Sequence, residues 1–137
     1  MSLRALPWTI IPVILYNAIA LWGGDAPDNV LHSNLFSIRM LQGAVWNFTW
    51  GDLIVFLTMV VLFVELIKAT YTSTVSLVDH GLSMLVFIIC IVEFLIVNGA
   101  ATSTFFLVMV GALIDVVAGF TIGIRVARRD LSIGSGT

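Results

Sequence analysis

The chain is poor in nearly everything that supports chemistry in water. Its 137 residues include one cysteine, two histidines and three prolines, with only six basic and eight acidic side chains. A single cysteine, Cys90, excludes a disulfide scaffold and CxxC-type metal sites, and its place within an apolar run makes it a small buried residue. His32 and His80 fall on opposite sides of the topology argued below, so no histidine pair has ligand spacing. Met59, Met84 and Met109 have no histidine partner within the apolar runs, which removes haem ligation. GxxxxGK[ST] and HExxH are absent. A net charge of −2 leaves no basic footprint for nucleic acid. No nucleophile, base and orienting group assemble from this inventory, so the expectation is a protein that is not an enzyme and holds neither metal nor cofactor.

The scarcity of charge says most. Charged residues make up 10% of the chain and hydrophobic ones 60%, with a mean hydropathy of +1.12, whereas a soluble domain carries about 25% charged residues. The charges also avoid long stretches, since Glu93 alone interrupts the run from Asp79 to Asp115. That pattern belongs to a lipid bilayer. At about 20 residues per crossing, residues 1–137 read as one membrane domain, with apolar spans at about 5–22, 53–67, 82–97 and 104–124.

The first span carries Pro7, which suits a first helical turn, and Pro12, which is expected to kink the helix by removing the partner of the Trp8 carbonyl. A cleaved signal peptide is the rival reading of this stretch. Trp8 and Trp22 at its ends favour a retained helix anchored at two interfaces. Residues 23–51 are polar enough to leave the membrane. There Phe36, Ile38 and Met40 alternate with polar residues, and so do Trp46, Phe48 and Trp50, on either side of Leu41-Gln42-Gly43. Period-two patterning around a glycine predicts a β-hairpin with those six side chains on one face, lying on the helix ends, on the bilayer surface or on a partner protein. The short link 98–103 forces the last two spans to be antiparallel neighbours, and Thr102 or Ser103 is placed to cap the last helix.

Arg4, Lys68, Arg125, Arg128 and Arg129 fall on one side of these spans and Arg39 on the other. The basic side is expected to be cytoplasmic, with both termini inside, the hairpin outside and 125–137 as a cytoplasmic tail. Asp52, Asp79 and His80 then read as polar residues at span boundaries, and Glu65 with Lys68 as a local pair reaching the headgroups.

Glu93 and Asp115 lie deeper, and a carboxyl within a span is a functional hypothesis by default. On antiparallel neighbours they are expected to approach one another, either as structural hydrogen-bonding groups or as a proton- or cation-handling site. Asn17 in the first span reads as a packing hydrogen bond. Gly111, Asp115, Gly119 and Gly123 recur every fourth residue and form one stripe, a candidate surface for close helix association.

The stretches Gly51-Asp52, Phe63 to Thr70, Val78-Asp79-His80, Glu93-Phe94-Leu95, Ala100 to Phe106 and Asp115 to Phe120 resemble small, uncharacterised four-helix inner-membrane proteins of alphaproteobacteria. The resemblance implies a bacterial inner membrane and the same topology, without an activity or a cofactor. The leading expectation is therefore an up-and-down four-helix membrane bundle that works by interaction, by self-assembly or as an accessory subunit of other membrane proteins. The alternative is a small transporter or channel component using Glu93 and Asp115.

Overall fold

The computed structural model describes residues 5–71 and 74–135, leaving aside the side chains of residues 74–76 and 135; Arg4 lies outside the described residues. The chain runs α1 (Ile10–Gly23), α2 (Pro27–Leu31), β1 (Asn34–Arg39), β2 (Val45–Thr49), α3 (Trp50–Lys68), α4 (Thr74–Ile96), a 3-10 turn (Asn98–Ala100) and α5 (Ser103–Ser135). Three helices, over Trp50–Lys68, Leu77–Ile96 and Ser103–Gly134, are long and apolar enough to cross a membrane.

The first helix differs from expectation. It has 14 residues, or roughly 21 Å at 1.5 Å per residue, short of a hydrocarbon layer of about 30 Å. The prolines explain the late start. Trp8 offers its carbonyl to the Ile11 N–H at 2.9 Å, and Pro12 falls in the first turn, where its missing N–H leaves no gap. Pro12 therefore takes no bond from the helix, which removes the expected cause of a kink, and residues 5–9 instead form turns that fold against the end of α3 and the middle of α5.

The other bounds shift for similarly local reasons. Helix α3 begins at Trp50 because Thr49 and Asp52 make a capping box: the Asp52 N–H donates to Thr49 Oγ1 at 3.2 Å and the Thr49 N–H to Asp52 Oδ2 at 3.0 Å. Helix α4 starts at Thr74, absorbing much of a Thr/Ser-rich stretch that reads as loop. Helix α5 runs on to Ser135, so the segment expected as a tail is a helical extension carrying Arg125, Arg128 and Arg129.

Helix α5 packs along both α3 and α4. Its buried face carries Phe105, Val108, Ala112, Asp115 and Val116, the three- and four-residue spacing of one helical stripe. Around Phe105 gather Tyr16, Ile54, Val86 and Cys90, with the Tyr16 and Phe105 rings 4.9 Å apart. Tyr16 Oη donates to the Gly99 carbonyl at 2.6 Å and bonds Thr102 Oγ1 at 2.7 Å, which ties α1 to the α4–α5 turn. Thr102 caps α5 as expected, accepting the Phe105 N–H at 3.2 Å.

The hairpin forms with Phe36 opposite Phe48 and Ile38 opposite Trp46, and Gly43 takes the positive φ of +95° that the turn requires. Trp50 leaves the expected face. It is the first residue of α3, donates its N–H to the Ser33 carbonyl at 3.2 Å and packs on the core. Met40 sits at the turn rather than in the strand, bonded through its backbone to Ala44 and Gly43.

Candidate functional site

The principal polar feature is a buried cluster where the end of α3, the first turns of α4, the middle of α5 and residues 6–9 meet. Lys68, in the last turn of α3, is its hub. Its ammonium donates to the Leu6 carbonyl at 2.8 Å, Glu65 Oε1 at 2.9 Å and Asp79 Oδ1 at 3.0 Å, using all three N–H donors. It also lies 5.9 Å from the centre of the Trp8 ring. Glu65 is one turn away on the same helix face and accepts a second bond from the Trp8 N–H at 2.7 Å. Asp79 reaches Lys68 because α4 has already made more than a turn when it passes the end of α3. Glu65, Asp79 and Asp115 are each about 1% exposed.

Asp115 joins the cluster from α5 without a cation of its own. Its Oδ2 accepts one long bond from Thr9 Oγ1 at 3.4 Å, and Glu65 and Lys68 lie within electrostatic reach. Ser83, also buried, adjoins it from α4. Four polar atoms here have no hydrogen-bond partner among the described residues: Glu65 Oε2, Asp115 Oδ1, Ser83 Oγ and His80 Nε2.

His80 completes the wall. A side-chain carbon added at Gly119 would come 3.1 Å from its Nδ1, and one at Gly123 would come 3.3 Å from its Nε2, so the glycines make room for the imidazole. Gly111 makes room in turn for Thr58 of α3, whose Cγ2 lies 2.6 Å from where a Cβ would stand. The stripe Gly111, Gly119, Gly123 is therefore filled by side chains of the same chain, and its role in close helix packing is intramolecular.

The expected approach of Glu93 to Asp115 does not occur. Ser83 stands at the level of Asp115, and Glu93 is ten residues further along α4, roughly 15 Å away along the axis. Glu93 is half-buried and neighbours Asn17 and Cys90. Asn17 bonds its own helix, donating Nδ2 to the Val13 carbonyl at 2.9 Å. Asp52 belongs to the capping box at the other end of α3. Glu65 and Lys68 form the expected local pair, but Glu65 does not reach the headgroups and Asp79 and His80 are not exposed boundary residues. All three are buried, Glu65 and Asp79 because Lys68 turns inward to bridge them, and His80 against Gly119 and Gly123. The one signal these four residues share is placement, since all fall where the Lys68 end of the bundle must lie.

No three of His, Cys, Asp and Glu among the described residues converge as metal ligands. The groove between α4 and α5 around Phe87, Phe94, Phe106 and Met109 is wholly apolar.

The hairpin is the second feature. The Phe36 and Phe48 rings stack at 4.9 Å, and Trp46 meets Phe48 edge-on at 5.6 Å. All of β1 is exposed and β2 becomes half-buried only at Phe48 and Thr49, so the bundle supports the hairpin at its base alone. Leu41 at the tip is fully exposed.

Comparison with known proteins adds no relative: no protein-family model, curated protein or solved structure matches this chain.

Proposed function

We propose that this chain is a small multi-pass membrane protein that serves as an accessory subunit, docking through its hairpin onto another membrane protein. The observation that carries this reading is the hairpin's aromatic face, where Phe36, Ile38 and Trp46 remain nearly half exposed on strands held only at their base. Aromatic side chains of this kind anchor protein interfaces. The glycine seam of α5 is occupied within the chain, whereas the hairpin face carries exposed aromatic side chains outside the helical bundle.

Size argues for a larger partner over a second copy. Stable interfaces bury about 800 Å² per partner, and a receiving surface on a larger protein can enclose both faces and the tip of the hairpin. A groove receiving the tip as well would also enclose Leu41, Leu35 and Val45, all exposed. We place the hairpin on the extracytoplasmic side of a bacterial inner membrane. The α5 extension bearing Arg125, Arg128 and Arg129 leaves the bundle at the Lys68 end, as Gly123 beside Ala69 indicates, and basic residues favour the cytoplasm. α1 then serves as a fourth, short membrane helix.

A photocrosslinking residue at Leu41, in the native membrane, tests this. The reading expects one discrete adduct with another membrane protein, absent when the same residue replaces lipid-facing Met59. Adducts to lipid alone, or only to a second copy, would overturn it.

A further inference from the structure

We propose that the Glu65–Lys68–Asp79–Asp115 centre is a proton-binding site, holding an exchangeable proton on the Asp115 side that Lys68 does not neutralise. The charge count comes first. Three carboxylates, each about 1% exposed, share a single ammonium. That ammonium is fully committed: its three donors go to Leu6, Glu65 and Asp79, and none to Asp115. The charged and titratable groups facing Asp115 are Glu65 and Lys68 from α3 and Asp79 and His80 from α4; residues 6–9 contribute only carbonyl, N–H and hydroxyl groups. None of these supplies a second cation in contact. A carboxylate buried without a cation, with only the hydroxyls of Thr9 at 3.4 Å and of neighbouring Ser83 beside it, is costly in ionised form, and taking up a proton removes that cost.

The unpartnered atoms are the independent observation. Asp115 Oδ1 has no partner among the described residues, and the nearby Glu65 Oε2 and Ser83 Oγ are also unfilled. A carboxylic acid O–H at Asp115 supplies a donor beside Ser83, whose hydroxyl can accept it. In the binding step one proton from solvent forms an O–H bond on a carboxylate oxygen and removes one negative charge; its release reverses both changes. A proton suits the site better than a metal ion because no three of His, Cys, Asp and Glu among the described residues converge as ligands, and the Lys68 ammonium occupies the place where Glu65 and Asp79 meet.

Infrared spectroscopy of the full chain in lipid nanodiscs at neutral pH reads the proton directly as the C=O stretch of a protonated carboxyl, which shifts in D₂O. Glu93→Gln serves as the background, because Glu93 is also a carboxyl within a span. The expected result is a D₂O-sensitive band that persists in Glu93→Gln and is lost in Glu93→Gln/Asp115→Asn. Ser83→Ala, which keeps the carboxyl, is expected to shift the band without removing it, and this arm stands if the asparagine variant does not fold. Absence of the band in Glu93→Gln, its persistence in the double variant, or no shift in Ser83→Ala would overturn the assignment. Exchange of potassium for sodium is expected to leave the band unchanged; its disappearance would replace the proton with an alkali cation and overturn the proposal.

Discussion

Lys68 on α3 donates to Asp79 on α4 at 3.0 Å, joining two helices through an ammonium whose side chain is 15% exposed and a carboxylate that is 2% exposed. The relationship has a cost structure. Removing one partner of a buried pair leaves the other charge uncompensated, typically at about 3–5 kcal/mol, whereas removing both costs much less. Lys68→Met is therefore expected to destabilise the bundle by about that amount. Adding Asp79→Asn to Lys68→Met is expected to recover part of the loss. Unfolding titrations in mixed micelles measure both; additive losses would show that the two residues do not act as a pair.

Among the described glycines, Gly111 leaves the least room for a side chain: an added Cβ would stand 2.6 Å from Thr58 Cγ2. Thr58 cannot readily yield, because it is β-branched and its Oγ1 donates to the Ile54 carbonyl at 2.8 Å. Gly111→Ala is expected to cost about 1–3 kcal/mol through overpacking. Thr58→Ser, which removes the clashing methyl and keeps the hydroxyl, is expected to restore most of it. The same unfolding titration applied to the single and double variants checks this.

Tyr16 holds the α4–α5 turn by two short bonds from one hydroxyl. Tyr16→Phe keeps the ring against Phe105 and leaves the Gly99 carbonyl and the Thr102 hydroxyl short of a partner, at an expected cost of about 1–3 kcal/mol. Hydrogen exchange should speed up at Ala100 to Phe106 while the middle of α3 stays protected. Uniform acceleration across the bundle would contradict a local tether.

Much of the architecture is legible in the sequence because it rests on local patterns. Alternation on either side of Gly43 gives the hairpin with Phe36, Ile38, Trp46 and Phe48 on one face, and Thr102 signals the cap of α5. Trp50 departs from the alternation because the Thr49–Asp52 capping box turns the chain into helix at that residue. The polar centre is less legible. Glu65 with Lys68 satisfies a local rule, and Asp79 and His80 follow a Thr/Ser-rich stretch that resembles a loop. Only the packing of the end of α3, the first turns of α4, the middle of α5 and residues 6–9 joins them. The pairing of Glu93 with Asp115 fails on simple counting: with α4 ending at Ile96 and α5 starting at Ser103, an antiparallel hairpin sets residue 115 opposite residue 84, and Glu93 lies about two and a half turns away.

The native mass of the complex extracted from its own membrane in lipid nanodiscs tests docking through the hairpin most directly. Docking through the hairpin requires an assembly well above the 14.9 kDa of the chain that contains a larger partner, and that falls to the single chain when Phe36→Ser and Trp46→Ser are combined. A single chain in the unaltered protein, or an assembly of the same mass in the double variant, would contradict it.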